Sequence, residues 1–185
     1  MRISVYSGSF NPLHIGHLAI MEALSDWEGT DWTYLVVSPQ NPFKSSDSAQ
    51  SGKNRYMAAL DALHRHPALK VWLDDIELRL DPPSYTIRTL DLMKRREPEN
   101  DFTLVVGADN LASFRSWKDY GRILREYGIA VYPRRGCDLQ ALRSSLLEED
   151  PAYRIDVFDC PMVDISSTEI RDALARGEDV SAYLL

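Results

Sequence analysis

The chain is poor in cysteine, has no excess of positive charge and contains no long apolar run. Its two cysteines, Cys137 and Cys160, lack zinc-ligand spacing and predict neither a metal site nor a disulfide framework. A formal net charge of −7 argues against a nucleic-acid binder. Because the sequence shows no signal peptide and no apolar segment of the ~18 residues that span a bilayer, we expect a cytoplasmic protein with no membrane partner.

Two catalytic signatures are also missing. No G-x-x-x-x-G-K-[ST] loop is present, which excludes a P-loop kinase, and Ser7 and Ser9 lack the strand, turn and helix context of a hydrolase nucleophile. The chain has 185 residues, 44% of them hydrophobic, which suffices for one sizeable core. We therefore predict a single domain over residues 1–185 and leave open whether the protein forms a homo-oligomer.

The most informative segment follows the apolar run at residues 3–6 and reads Ser7-Gly8-Ser9-Phe10-Asn11-Pro12-Leu13-His14-Ile15-Gly16-His17. It predicts a strand, a small-residue turn and a helix start, where free N–H groups attract anions. Gly8 and Gly16 allow the backbone to approach a ligand, and the three-residue spacing puts His14 and His17 on one helical face. The pattern indicates a phosphate-binding site. Zinc ligation and incidental surface polarity remain alternatives for the two histidines.

A second segment far downstream reads Asp164-Ile165-Ser166-Ser167-Thr168-Glu169-Ile170-Arg171. The spacing of Ser166 and Glu169 predicts a capping box at another helix start. That structural role does not account for Ser167, Thr168 or Arg171, whose hydroxyls and guanidinium suit a polyphosphate.

Strand-like and helical patterns alternate along the chain. This alternation predicts an α/β fold, a doubly wound parallel sheet with helices on both faces and ligands at the carboxyl ends of the strands. The predicted strands cover residues 3–6, 32–38, 71–73, 102–107, 128–132 and 155–158, and the predicted helices cover 16–24, 54–65, 85–96, 120–126, 139–147 and 167–176. Residues 39–53 are predicted to form one long mobile loop.

The two motif segments together resemble the nucleotidylyltransferase superfamily, and three further blocks narrow the resemblance to the bacterial nicotinate-nucleotide adenylyltransferase family. These blocks are residues 83–90 (PSYTIRTL), 107–111 (GADNL) and 114–117 (FRSW). The resemblance implies a Rossmann-like nucleotidyltransferase that transfers the adenylyl group of ATP to nicotinate mononucleotide, giving deamido-NAD and pyrophosphate in NAD biosynthesis. A sister transferase acting on nicotinamide mononucleotide, phosphopantetheine or a phosphoalcohol is one alternative. A nucleotide-binding regulator without catalysis is another.

The resemblance also implies roles for individual residues. His14 and His17 would contact the reacting phosphates, and Lys44 and Arg171 the departing pyrophosphate. ATP binding is implied for Gly8, Ser9, Phe10, Gly16, Gly107, Asp109, Arg134, Ser166 and Ser167, and binding of the mononucleotide for Asn41, Tyr85, Thr86 and Trp117. Mg²⁺ is expected to arrive with ATP, without a metal site built by the protein.

Several of these residues have a structural alternative. Lys44 could be a solvated loop lysine, Trp117 a core residue, and Asp109 the N-cap of a short helix beginning near Leu111. The sequence does not decide whether Arg134 or its neighbour Arg135 points towards the phosphates. The role of Lys118, where many relatives have an aromatic residue, is also left open.

Overall fold

The computed structural model describes residues 1–39 and 52–185. All six strands in this part of the chain belong to one sheet with the order β3-β2-β1-β4-β5-β6, and every pair is parallel. The strands are β1 (Arg2–Gly8), β2 (Trp32–Val37), β3 (Val71–Asp74), β4 (Asp101–Gly107), β5 (Ile129–Tyr132) and β6 (Ile155–Val157). This topology confirms the predicted doubly wound α/β fold.

The central strands are apolar along their length because helices cover both faces of the sheet. All four residues of β5 are buried, as parallel sheets require. One core cluster packs α3 against the face that carries Ile3 and Val5, and the other packs α1 and α2 against the opposite face. The helices are α1 (Ile15–Asp26), α2 (Gly52–Arg65), α3 (Thr86–Arg96), α4 (Ala108–Ala112), α5 (Tyr120–Arg122), α6 (Leu139–Glu149) and α7 (Ser167–Ala175).

The strand order reverses between β1 and β4, which are neighbours in the sheet although β2 and β3 lie between them in sequence. The connections after these two strands lead in opposite directions, so a crevice opens at their carboxyl ends. The strand ends Gly8 and Gly107 both face this crevice edge. Ligands of doubly wound sheets bind at this position.

Two local details differ from the expectations. The predicted helix 120–126 forms as one α-helical turn, α5, followed by a π-helical turn at Ile123–Tyr127, which stops at Gly128 with a φ of +76°. The short helix expected near Leu111 begins at Ala108 with Gly107 as its N-cap, which excludes the alternative that Asp109 is the cap. Short 3₁₀ turns at Ile76–Arg79, Phe114–Ser116 and Ser181–Tyr183 were not predicted.

The predicted loop at residues 39–53 ends earlier than expected, because α2 begins at Gly52. Its residues 40–51 lie outside the described part of the chain, so its mobility stays a prediction. In residues 1–39 and 52–185, no helix is long and apolar enough to cross a membrane.

Candidate active site

The turn after β1 is built around a buried aromatic ring. Phe10 is 4% exposed and adopts a left-handed φ of +44°. Its ring lies edge-on to His17, with centroids 5.0 Å apart, and a Cβ on Gly8 would lie 3.0 Å from it. Gly8 therefore makes room for the ring. Because this side chain is buried, any contact of Phe10 with a ligand falls to its backbone.

His14 and His17 form the N-terminal cap of α1. The Nδ1 atom of His14 accepts the N–H of Gly16 at 3.1 Å, and the N–H of His14 donates to Nδ1 of His17 at 3.2 Å. Since each Nδ1 is an acceptor, the neutral rings carry their proton on Nε2. Both rings therefore have an N–H donor left for a phosphate oxygen.

Burial keeps both imidazoles neutral. Desolvation, assisted by the charge of Arg134 and opposed by Glu169, lowers the pKa of His14 to about 4. Desolvation, with His14 and Arg134 adding to it, also holds the pKa of His17 well below its usual value of 6.5. At neutral pH the pair consists of hydrogen-bond donors and not of cations.

The start of α7 packs against the turn that follows β1. Ser166 and Glu169 form the predicted capping box, with Glu169 Oε2 accepting from the Ser166 N–H at 2.8 Å. Ser167 Oγ donates to the carbonyl of Pro12 at 3.2 Å, and Arg171 Nη1 donates to the carbonyl of Asn11 at 2.7 Å. The two segments singled out in the sequence are therefore in direct contact.

The opposite wall comes from the ends of β4 and β5. A Cβ on Gly107 would lie 2.3 Å from Asp109 Oδ1, so the missing side chain makes room for this carboxylate. Asp109 Oδ1 lies 3.5 Å from Nε of Arg134, whose guanidinium lies 5.5 Å from the ring centroid of Tyr132. Arg135 pairs with exposed Asp164 at 2.9 Å, and both residues line the cavity described next. Arg134 is the arginine whose charge acts on the pKa of both histidines.

A cavity lies between this wall and α1. Its lining includes Gly16, Ile20, Tyr132, Arg134, Cys160 and Met162. The lining combines apolar side chains, which suit a flat ring, with the charged side chains of Arg134, Arg135 and Asp164. The cavity opens beside the helix start that carries the two histidines.

Another group of predicted site residues lies at the start of α3. Tyr85 is the N-cap of this helix and makes no side-chain capping bond. The ammonium of Lys118 lies 5.7 Å from the Tyr85 ring centroid. The preceding residue, Trp117, stacks on buried Phe114 with centroids 4.8 Å apart, so one face of its indole belongs to the core. The structure thus places the segment containing Trp117 next to Tyr85.

Comparison with known proteins identifies the family of this chain. A family model described as cytidylyltransferase-like matches residues 5–173. A Bacteroides fragilis protein named "Probable nicotinate-nucleotide adenylyltransferase" is 39% identical over 183 residues, covering 99% of this chain and 87% of the relative. A Cytophaga hutchinsonii protein of the same name is 36% identical over 185 residues, covering 100% of this chain and 91% of the relative. This chain belongs to the nicotinate-nucleotide adenylyltransferase family.

The fold of this family member is that of a Rossmann-like nucleotidyltransferase. The chain superposes with a TM-score of 0.81 on a structure titled "Plasmodium falciparum nicotinic acid mononucleotide adenylyltransferase complexed with NaAD". The two are 19% identical, and the match covers 99% of this chain and 90% of the other. At this identity the likeness supports the fold, and the curated relatives support the family.

The structure of this adenylyltransferase family member brings most of the predicted site residues to one edge of the sheet. The turn at Gly8–Phe10, the cap formed by His14 and His17, and the start of α7 are contiguous, and Arg134 and Asp109 form the facing wall. Tyr85 and Thr86 begin α3. Lys44 and Asn41 lie outside the described residues, so their predicted roles stay predictions.

Sequence reasoning overlooked two buried charged residues that touch this edge. Glu77 Oε1 accepts from Ser7 Oγ at 3.2 Å and from Thr89 Oγ1 at 3.0 Å, which ties the end of β1 to α3. Arg55 is 5% exposed and donates to backbone carbonyls. A signal for Arg55 was present, because it shares the buried stripe of α2 with Ala59 and Ala62. A charged residue on such a stripe indicates a buried partner.

Proposed function

We propose that this chain transfers the adenylyl group of ATP to nicotinate mononucleotide, releasing pyrophosphate and forming deamido-NAD. The observation that carries the proposal is the full-length relationship to proteins named for this activity, at 39% and 36% identity. The P. falciparum structure that shares this fold is described as complexed with NaAD. A cytoplasmic location is part of the same proposal.

The proposed reaction is a direct in-line displacement. A 5′-phosphate oxygen of the mononucleotide forms a bond to the α-phosphorus of ATP, and the bond from that phosphorus to the pyrophosphate oxygen breaks. Such a step needs alignment of two phosphates and stabilisation of negative charge, with no covalent intermediate on the protein. The Nε2–H groups of His14 and His17, which α1 holds in place, are suited to donate to the reacting phosphates.

The triphosphate would extend from these histidines towards the start of α7. There Ser167 and Arg171 already lie against the turn after β1, and Arg171 and Lys44 would receive the leaving pyrophosphate. The adenosine would occupy the cavity beside Tyr132 and Arg134, with Asp109 available to accept from ribose hydroxyls. The mononucleotide would reach the histidines from the side of Tyr85, Thr86 and Trp117.

Mg²⁺ is proposed to enter with ATP. Among the described residues, no group of three or more His, Cys, Asp or Glu side chains is arranged to hold a metal ion. ATP itself can carry the ion, because Mg²⁺ keeps several waters and binds phosphate oxygens. When bound, the ion neutralises phosphate charge, and the chain's own contribution is to position the two nucleotides.

The proposal is tested with purified protein, ATP and Mg²⁺. Nicotinate mononucleotide, nicotinamide mononucleotide and 4′-phosphopantetheine are supplied in separate reactions, and products are separated by chromatography while pyrophosphate is measured. We expect deamido-NAD and pyrophosphate in equal amounts from nicotinate mononucleotide. Faster turnover of phosphopantetheine, or no pyrophosphate from any of the three, would overturn the proposal.

A further inference from the structure

Arg55 is a charged side chain enclosed by the two turns that leave β1 and β2. It lies on α2 and is 5% exposed. Its Nη1 donates to the carbonyls of Ser9 and Ser38, the latter at 2.7 Å, and its Nη2 donates to the carbonyl of Pro39 at 2.7 Å. A single guanidinium therefore bonds to three main-chain oxygens.

These oxygens belong to two neighbouring connections at the carboxyl end of the sheet. Ser9 lies in the turn between β1 and α1, and Ser38 and Pro39 follow β2. The strands themselves contribute one further bond here, from the N–H of Ser38 to the carbonyl of Gly8 at 2.9 Å. Arg55 thus joins the segments that follow β1 and β2, beyond the last backbone hydrogen bonds between the two strands.

The turn held by Arg55 contains a strained residue. The φ of +44° at Phe10 is a left-handed conformation, which is unfavourable for a non-glycine residue and persists where its surroundings enforce it. On one side, the buried ring of Phe10 packs against His17. On the other side, Arg55 binds the carbonyl of the preceding residue, Ser9. The backbone of this turn is therefore restrained from both ends.

We propose that Arg55 is a positioning residue that fixes the Ser9–Phe10 backbone, and with it the histidine cap of α1, in the geometry needed for phosphate transfer. This inference rests on the proposed function, which places the reacting phosphates at that cap. A planar guanidinium suits the task because its several N–H donors point in fixed directions. A lysine ammonium also has three N–H donors, but they leave a single nitrogen, so they do not reproduce the contacts made by the two separate nitrogens Nη1 and Nη2.

The test combines kinetics with a structural readout. Arg55→Lys keeps the charge and removes the fork of donors. We expect its kcat for adenylyl transfer to fall by about tenfold or more, because small displacements of positioned groups are costly in rate. Hydrogen exchange of the peptide covering residues 7–13 is expected to accelerate, while exchange in β4 stays as in the wild type. The matched control is Arg143→Lys, since Arg143 on α6 also binds a main-chain carbonyl, that of Ile155 at 3.0 Å, away from the site.

The outcomes separate three cases. If the wild-type protein does not catalyse adenylyl transfer, the proposed function is wrong. The hydrogen-exchange measurement then still shows whether Arg55 holds the turn at residues 7–13. The kcat of Arg55→Lys is measured well below the unfolding temperature of this variant. A kcat within twofold of the wild-type value overturns the inference, even if the variant unfolds at a lower temperature than the wild type. Arg55→Gln, which buries no charge, is the second variant and should show the same loss of kcat. If neither variant folds, Arg55 supports the whole fold and the inference is also wrong.

Discussion

The imidazole rings of His14 and His17 lie with their centroids 3.7 Å apart, and the Nδ1 atom of each ring accepts a backbone N–H from the same turn of chain. One interaction network thus caps α1 and fixes the tautomer of both rings. The helix would otherwise have unsatisfied N–H groups at its start. Because the cap uses Nδ1, the Nε2–H groups stay available for phosphate oxygens.

Capping and phosphate binding can be separated by substitution with asparagine. The side-chain oxygen of asparagine can replace Nδ1 as an acceptor but provides no donor at the position of Nε2. We expect His17→Asn to fold and to lose kcat by roughly 10² or more, the usual effect of removing one preorganised donor. His17→Ala should lose as much activity. The control is His64→Asn, at the exposed end of α2, measured in the same steady-state assay. Near-normal turnover of folded His17→Asn would refute the role of His17 as a phosphate donor.

The two histidines also make stability depend on pH. In the unfolded chain a histidine binds a proton near pH 6.5, whereas native His14 does so near pH 4 and native His17 well below 6.5. The unfolded state therefore binds more protons between about pH 6.5 and 4, and the free energy of unfolding falls as the pH is lowered through this window. Urea unfolding at several pH values should show a shallower decline in His14→Asn. An unchanged slope would mean that His14 titrates normally.

The sequence predicted the fold because its signals are local and mutually consistent. Strands that are buried on both faces read as apolar runs, and the capping box at Ser166 and Glu169 marks the start of α7. The histidine cap was harder to foresee, since histidine is not among the preferred N-cap residues. Only the folded turn shows that Nδ1 of each ring caps the helix and leaves Nε2 for another partner.

The predictions differed from the structure where a contact between residues distant in sequence, or the choice between two helix types, determines the local structure. The apolar spacing at residues 120–127 suits an α-helix and a π-helical turn alike, so the pattern could not separate them. The alternative of Asp109 as a helix cap was reasonable by residue type, but its carboxylate lies beside Arg134, which follows β5. That pairing depends on the sheet order and leaves no trace in the local sequence.

Lys44 is a prediction that rests on the resemblance alone, because it lies outside the described residues. If it contacts the departing pyrophosphate, Lys44→Ala should raise the KM for ATP or lower kcat by about tenfold. Lys53→Ala is the matched control, since Lys53 is exposed in the first turn of α2. Wild-type kinetics for Lys44→Ala would favour the alternative of a solvated lysine.

Gly107 leaves space that a methyl group would fill. A Cβ there would meet Asp109 Oδ1 at 2.3 Å and the Tyr132 hydroxyl at 3.2 Å, so Gly107→Ala must displace the carboxylate from Arg134. We expect the Kd for ATP, measured by calorimetry, to rise by about tenfold while the protein stays folded. Gly121→Ala, whose Cβ would lie 3.1 Å from the Tyr153 hydroxyl, should bind ATP normally. Equal affinities for the two variants would remove Asp109 from the nucleotide site.

The start of α3 predicts a preference between two closely related substrates. Its N-cap residue, Tyr85, provides no side-chain acceptor, so the first N–H groups of the helix are available for an anion. A nicotinate carboxylate accepts from such donors, whereas the NH₂ of nicotinamide is itself a donor and is mismatched. We expect a higher kcat/KM for nicotinate mononucleotide than for its amide. Equal values, measured side by side, would show that these residues do not read the ring substituent.

The positive charge of Lys118 also lies near this helix start and favours a carboxylate over an amide. Its ammonium lies 5.7 Å from the Tyr85 ring centroid and 3.8 Å from the Asp119 carboxylate, and it is 54% exposed, so water and Asp119 both weaken its field. Lys118→Met should therefore reduce the preference for nicotinate over nicotinamide only moderately, by about threefold, through a loss of kcat/KM for the acid. Lys70→Met, at an exposed position before β3, should leave the ratio unchanged. High salt should reduce the preference of the wild-type protein for nicotinate in the same way. If neither salt nor Lys118→Met changes the ratio of the two kcat/KM values, the helix N–H groups alone recognise the carboxylate.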